Sequence, residues 1–228
     1  MRKHKFYGRR QGRKLSGSRL SALENVLPEY MVELDDDVAD DSIAPSSFFD
    51  DPQITEYWLE IGFGNGEHLA EQAKRHPHIG MIGCEPFING VSKLLTTIEE
   101  EGIENIRIWP DDARVLMDAL QKQSFQKCFV LHPDPWPKKR HHKRRFIQTE
   151  TLGRFSELML PNAELRMATD DAELANWMLE KTWRHPAFTW QAQTADDWRI
   201  RPDDWPETRY GQKQLAGQPV YFRFLKTA

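Results

Sequence analysis

The spacing of apolar positions divides the chain near residue 51. Residues 1–20 hold few large apolar side chains and show no clear period, which reads as a flexible arm. Residues 35–41 form an acidic low-complexity stretch that reads as a solvated linker. Residues 1–50 are therefore taken as arm and linker, and 51–228 as the folded domain. Beyond residue 56, short apolar runs alternate with helical spacings. Tyr57–Ile61, Ile79–Glu85, Asn105–Trp109, Lys127–His132 and Glu164–Thr169 read as strands, and Phe188–Ala192 and Val220–Leu225 as two closing strands. Helices are expected over Gly66–Arg75, over Phe87–Glu101 with Val91, Leu94, Leu95 and Ile98 on one face, through Val115, Leu116 and Leu120, over Arg145–Leu160 and over Asp171–Arg184. Lys127–His132 is apolar almost throughout, as suits a central parallel strand covered on both faces. This alternation predicts an α/β fold: a doubly wound, mostly parallel sheet with helices on both faces, whose ligands sit at the carboxyl ends of the strands.

No apolar run approaches the roughly 20 residues of a membrane span. The basic N-terminus lacks a following apolar h-region, so a secretory signal is not expected. A transit peptide remains an alternative, since residues 1–23 contain no acid. The two cysteines, Cys84 and Cys128, fall in predicted strands and argue for a reducing cytoplasm over a disulfide scaffold. The net charge of −4 conceals an asymmetry. Residues 1–19 carry 8 Lys/Arg and no acid, and residues 138–145 carry 6 more. The remaining 17 bases face all 35 acids. An acidic body with two basic clusters fits a polyanionic partner, although a solubilising tail and a solvated loop would give the same composition.

Candidate chemistry gathers at the predicted strand ends. Glu60-Ile61-Gly62-Phe63-Gly64-Asn65-Gly66 joins the first strand to the first helix of the domain. Its glycines permit a tight turn and close approach of a ligand. The third glycine is one position early for a dinucleotide fingerprint. The preceding carboxylate would repel a phosphate but suits the cationic amino-acid end of S-adenosyl-L-methionine. Glu85 ends the second strand, where an acid can accept from ribose hydroxyls. Asp112 follows the third, placed either to accept from an adenine amino group or to cap a helix. Together these acids describe a nucleoside site.

After the fourth strand comes His132-Pro133-Asp134-Pro135-Trp136-Pro137-Lys138-Lys139-Arg140-His141. Three prolines stiffen this loop. It combines one carboxylate, one indole and a run of cations able to hold phosphates. Trp136 has two readings, stacking on a base or packing beneath the loop. His132, His141 and His142 lack a companion ligand set, so no metal site is expected.

With these segments the sequence resembles the bacterial tRNA (guanine-N7-)-methyltransferases. The resemblance spans about residues 55–225. It rests on Glu60–Gly66, Glu85, Asp112-Ala113, Pro133–Arg145, Ala168-Thr169-Asp170 and Thr208-Arg209-Tyr210. It implies a seven-stranded Rossmann-like methyltransferase sheet and methyl transfer from S-adenosyl-L-methionine to guanine N7 in the variable loop of tRNA. The cofactor would be bound by Glu60, Gly62, Gly64, Gly66, Glu85, Asp112 and Asp134, with Asp134 also the catalytic residue. The tRNA substrate would meet Lys138, Asp170, Thr208, Arg209 and Tyr210; Asp170 could equally cap the helix that follows. No membrane and no obligatory protein partner are implied. Two positions depart from the family pattern. His132 replaces an aromatic residue, and Gly211 stands where a glutamate follows the Thr-Lys/Arg-Phe/Tyr triplet. Two rival functions share parts of this pattern: a methyltransferase for another RNA or a small molecule, and a non-catalytic RNA-binding module.

Overall fold

The computed structural model describes residues 4–35, 37–206 and 216–227. The chain forms two compact units, Met1–Ser124 and Phe125–Ala228.

In the first unit, strands β1 (Glu56–Ile61), β2 (Ile79–Cys84) and β3 (Ile106–Trp109) run parallel in the order β3-β2-β1. Helices α3 (Glu67–Arg75), α4 (Ile88–Glu101) and α5 (Ala113–Ala119) supply the crossovers that parallel pairing requires. Every residue of β2 is buried, as expected of a central strand covered on both faces. Leu59, Ile82, Leu94, Leu95, Ile98, Ile106 and Leu116 form the core. The register Ile61↔Cys84 and Cys84↔Trp109 aligns the carboxyl ends of all three strands. Residues 1–50, expected as arm and linker, include helices α1 (Gly17–Asn25) and α2 (Leu27–Tyr30) and a 3-10 turn at Pro45–Phe48. Val32 N–H donates to Ile108 O at 2.8 Å, which ties this region to the edge of β3.

In the second unit, β4 (Phe125–Leu131) pairs parallel with β5 (Met159–Thr169). Strand β5 pairs antiparallel with β7 (Val220–Lys226), and β7 with β6 (Phe188–Trp190). The order is β4-β5-β7-β6. Helices α6 (Thr149–Leu158), α7 (Ala172–Trp183) and the short α8 (Asp196–Arg199) complete it. Phe129, Phe155, Leu165, Met167, Met178 and Phe224 are its buried core. The expected fold class holds: seven strands, mostly parallel, with interleaved helices.

Two boundaries differ by more than two residues from the sequence reading. The helix expected from Arg145 begins only at Thr149, because Lys139–Arg144 forms a 3-10 turn and Gln148 and Thr151 make a reciprocal capping box. It ends at Leu158, and β5 starts at Met159, five residues before the expected strand. Pro161 accounts for that end, since the residue before a proline is driven out of the α region.

Candidate functional site

The glycine turn after β1 is left-handed at Gly62 (φ 70°), Gly64 (φ 59°) and Gly66 (φ 79°), a region that disfavours any Cβ. Above Gly62 and Gly64 the positions a Cβ would occupy have no atom within 4 Å, so their backbone is accessible to a ligand. Glu85, at the end of β2, closes the turn: its Oε2 accepts from Gly64 N–H and its Oε1 from Phe87 N–H, both at 2.8 Å. The amino end of α4 approaches from the other side. A Cβ on Gly90 would lie 2.0 Å from Gly64 O.

Glu60 is almost fully buried at 3% exposure. Its Oε2 lies 2.7 Å from Nδ1 of His68 on α3, and His68 Nε2 lies 3.3 Å from Nε2 of Gln72 one turn further on. Sequence periodicity shows His68 and Gln72 only as occupants of a helical face, which is why their connection to Glu60 escapes it.

Asp112 caps α5, accepting from Arg114 N–H at 3.1 Å, and Arg114 Nη2 pairs with its other oxygen at 2.5 Å. The capping alternative is thus realised. Burial is the largest influence on this carboxyl and pushes it up. The hydrogen bonds and charge of Arg114 outweigh burial and hold it below the ordinary aspartate value. A depressed folded-state pKa contributes stability above the unfolded value, which is lost as pH falls through the folded value. In Arg114→Met this contribution should shrink. Thermal melts should show about 1–2 kcal/mol less stability at pH 7, with Arg114 partly solvated and its pairing screened accordingly. The difference from the parent should narrow below about pH 4. A gap that stays constant across that range would show that Arg114 acts through packing alone.

The basic arm lies against this same edge. Arg10 Nη2 pairs with Asp111 Oδ1 at 2.5 Å, and Ile88 N–H donates to Arg10 O at 3.0 Å. Gly12 N–H donates to Asn89 Oδ1, and Asn89 Nδ2 to Arg13 O, each at 2.8 Å. Arg114 Nη2 donates to Lys5 O at 3.0 Å. The arm is thereby tied to the starts of α4 and α5 by backbone as well as by charge.

In the second unit the register Leu131↔Ala168 brings the loop after β4 beside the end of β5. His132 N–H donates to Ala168 O at 2.7 Å. His132 and Trp136 both have positive φ, 49° and 44°, an uncommon conformation for side-chain-bearing residues. Between them Asp134 reaches solvent, yet burial by neighbouring groups raises its carboxyl above the ordinary value. Asp170 lies near His132 (Oδ1 to Nδ1, 3.7 Å), and its Oδ2 accepts from Ala216 N–H at 3.1 Å. It does not cap the next helix. Asp171 does, accepting from Leu174 N–H at 2.7 Å.

The basic run divides by role. Lys138, Lys139, Arg140 and Lys143 are exposed. Arg144 lies 4.9 Å from the centre of the Trp136 ring, and His141 packs edge-on to it, so the indole lies within its own loop. Arg145 is buried: its Nε donates to Pro135 O at 2.8 Å and its Nη2 to Glu173 at 2.9 Å. It is a brace for the loop and not a phosphate ligand. Thr208, Arg209, Tyr210 and Gly211 lie outside the described residues. Among the described residues no group of three His, Cys, Asp or Glu could hold a metal.

Solved methyltransferases share this fold. An rRNA methylase from Streptococcus thermophilus superposes with TM-score 0.51 at 15% identity, covering 84% of this chain and 90% of that one. The aminoglycoside resistance methyltransferase NpmB1 gives 0.53 at 16% identity over 77% and 89%. A family model described as "Putative methyltransferase" matches residues 55–223, so the class is that of a methyltransferase. Sequence relatives narrow it. The tRNA (guanine-N(7)-)-methyltransferase of Rhodospirillum rubrum is 46% identical over 97% of this chain and 88% of its own length. That of Chelativorans sp. is 40% identical over 97% and 94%. The chain belongs to the tRNA (guanine-N7-)-methyltransferase family.

Proposed function

We propose that the protein transfers the methyl group of S-adenosyl-L-methionine to N7 of a guanine in the variable loop of tRNA. The observation that carries this reading is the set of acids Glu60, Glu85 and Asp112 at the aligned ends of β1, β2 and β3, beside an accessible left-handed glycine turn, in a chain of this family. Glu60 meets the cationic amino-acid end of the cofactor, Glu85 the ribose and the Asp112 region the adenine. Gly62 and Gly64 let the ligand approach the backbone, and Gly66 shapes the turn. The bound cofactor supplies an electrophilic methyl on a positively charged sulfur.

Guanine N7 offers a free lone pair, so the acceptor needs no deprotonation. It needs placement, which can supply up to roughly 7–11 kcal/mol of a barrier. As the N7–carbon bond forms and the carbon–sulfur bond breaks, the guanine ring gains positive charge. Asp134 stabilises that charge electrostatically, and its carboxylate completes the cofactor set. Lys138 and Asp170 contact the substrate, together with Thr208, Arg209 and Tyr210. The exposed cations of 138–143 and of the arm hold tRNA phosphates. No described helix is long and apolar enough to cross a membrane, and a cytoplasmic site of action, where tRNA is met, suits the reading.

Incubation of unmodified tRNA with methyl-labelled S-adenosyl-L-methionine, followed by nucleoside analysis, should place the label in 7-methylguanosine. Label in another nucleoside would overturn the assigned position. Transfer only to small acceptors would favour the small-molecule alternative. Absence of S-adenosyl-L-homocysteine binding would favour a non-catalytic RNA-binding module.

A further inference from the structure

We infer that His68 is a positioning residue for the cofactor carboxylate Glu60, held as the neutral Nδ1–H tautomer by Gln72. The inference rests on the reading of Glu60 as the group that meets the cofactor's amino-acid end.

Glu60, His68 and Gln72 are all at least nine-tenths buried, at 3%, 2% and 2% exposure. A carboxylate so placed is costly unless its oxygens are satisfied. Strand β1 fixes where Glu60 begins but leaves its terminal torsion broad. His68 Nδ1, 2.7 Å from Oε2, fixes that torsion and directs Oε1 elsewhere. The third group sets the tautomer. At the 3.3 Å contact between His68 Nε2 and Gln72 Nε2, the amide nitrogen can only donate. With the amide in this orientation the imidazole Nε2 accepts, and the ring proton we infer on Nδ1 donates to Glu60. Helix geometry makes this possible, since residues 68 and 72 are one turn apart on the same face of α3. The neutral ring matters chemically. An imidazolium would neutralise Glu60 and weaken its attraction for an ammonium group, whereas a neutral donor orients the carboxylate and leaves its charge intact.

The test uses the full-length protein. In His68→Leu the dissociation constant for S-adenosyl-L-homocysteine, measured by calorimetry, should rise roughly tenfold or more, the scale of losing a hydrogen bond to a buried charge. The loss should appear in KM for the methyl donor and much less in kcat. In His68→Asn, whose amide nitrogen stands near the position of Nδ1, affinity should recover. Nitrogen NMR of the parent protein should show His68 with Nδ1 protonated and Nε2 bare. An imidazolium signature, or a His68→Leu protein that is less heat-stable yet binds with unchanged affinity, would overturn the inference. Glu60→Gln separates the two levels. If it loses affinity while His68→Leu does not, the positioning role fails and the cofactor reading stands. If Glu60→Gln binds normally, the cofactor reading fails and takes this inference with it. Should His68→Leu not fold, the tautomer and the His68→Asn affinity still decide.

Discussion

Asp134→Asn is expected to lower turnover by roughly 10²–10³-fold, the scale seen when one preorganised electrostatic partner of a transition state is removed, with little change in melting temperature. Asp134→Ala should fall as far, because the proposed role is charge and not shape. The fold should survive because the loop is held by other atoms. His132 N–H is bonded to Ala168 O, Arg145 Nε to Pro135 O, and the flanking Pro133 and Pro135 restrict the backbone. Positive φ at both His132 and Trp136 persists only where the surroundings over-determine it. The carboxylate is therefore presented by a frame that does not depend on it. Its raised pKa fits the same role: partial burial by its neighbours disfavours the carboxylate until a cationic guanine forms beside it. In pH terms, activity should fall on the acid side at a higher pH than an ordinary aspartate would give, as protonation removes the charge. Single-turnover assays with saturating tRNA and cofactor measure the effect. Near-normal turnover in Asp134→Asn would sink the assignment.

Much of this arrangement could be read from residue order, and what escaped has a physical reason. Strands β1 to β4 and β7 announce themselves as short apolar runs, most fully β2, which is buried at every position as a central parallel strand should be. Glu60, Glu85 and Asp112 could be placed because each lies within three residues of the end of an apolar run. What periodicity conveys is which face of an element is buried, and not which atom meets which. Periodicity therefore assigns His68 and Gln72 to the helix over Gly66–Arg75 and nothing more, although they form a chain of polar contacts to Glu60. The basic run 138–145 reads as uniform cationic surface, while the structure sends Arg145 inward to Pro135 and Glu173. A local signal did exist for that one: acceptors are supplied by a loop of prolines, which contribute carbonyls and no N–H. The capping role that Asp170 could have filled falls to Asp171, since a shift of one residue in a helix start decides between them. The arm lacks apolar period because its attachment runs through backbone hydrogen bonds and the Arg10–Asp111 pair, to which hydrophobic spacing is blind.

Gly90→Ala should be the most destabilising conservative change in the first unit, and its sign opposes what helix propensity alone would give. In an ordinary helix, replacing glycine by alanine gains about 0.5–1 kcal/mol. Gly153, within α6, is such a place: a Cβ there meets nothing within 4 Å, and Gly153→Ala should be neutral or stabilising. At Gly90 the added Cβ would lie 2.0 Å from Gly64 O and 2.9 Å from its carbonyl carbon. The obstacle is backbone, so no side chain can swing away. Either α4 retreats from the glycine turn or the turn itself moves. Overpacking of this kind typically costs 1–3 kcal/mol, and an unyielding backbone partner places the cost near about 3 kcal/mol. For a chain of this size that lowers the melting temperature by roughly 6–12 °C. Cofactor binding should suffer beyond stability. Gly64 N–H is the donor that fixes Glu85 Oε2 at 2.8 Å, and displacing Gly64 moves the proposed ribose acceptor and the amino-acid cradle together. Melting of the Gly90→Ala and Gly153→Ala proteins, with calorimetric titration of S-adenosyl-L-homocysteine at a temperature where both are folded, separates the two effects. A Gly90→Ala protein as stable as the parent, binding with unchanged affinity, would mean that the turn tolerates the intrusion and that its tight packing against α4 is not what shapes the site.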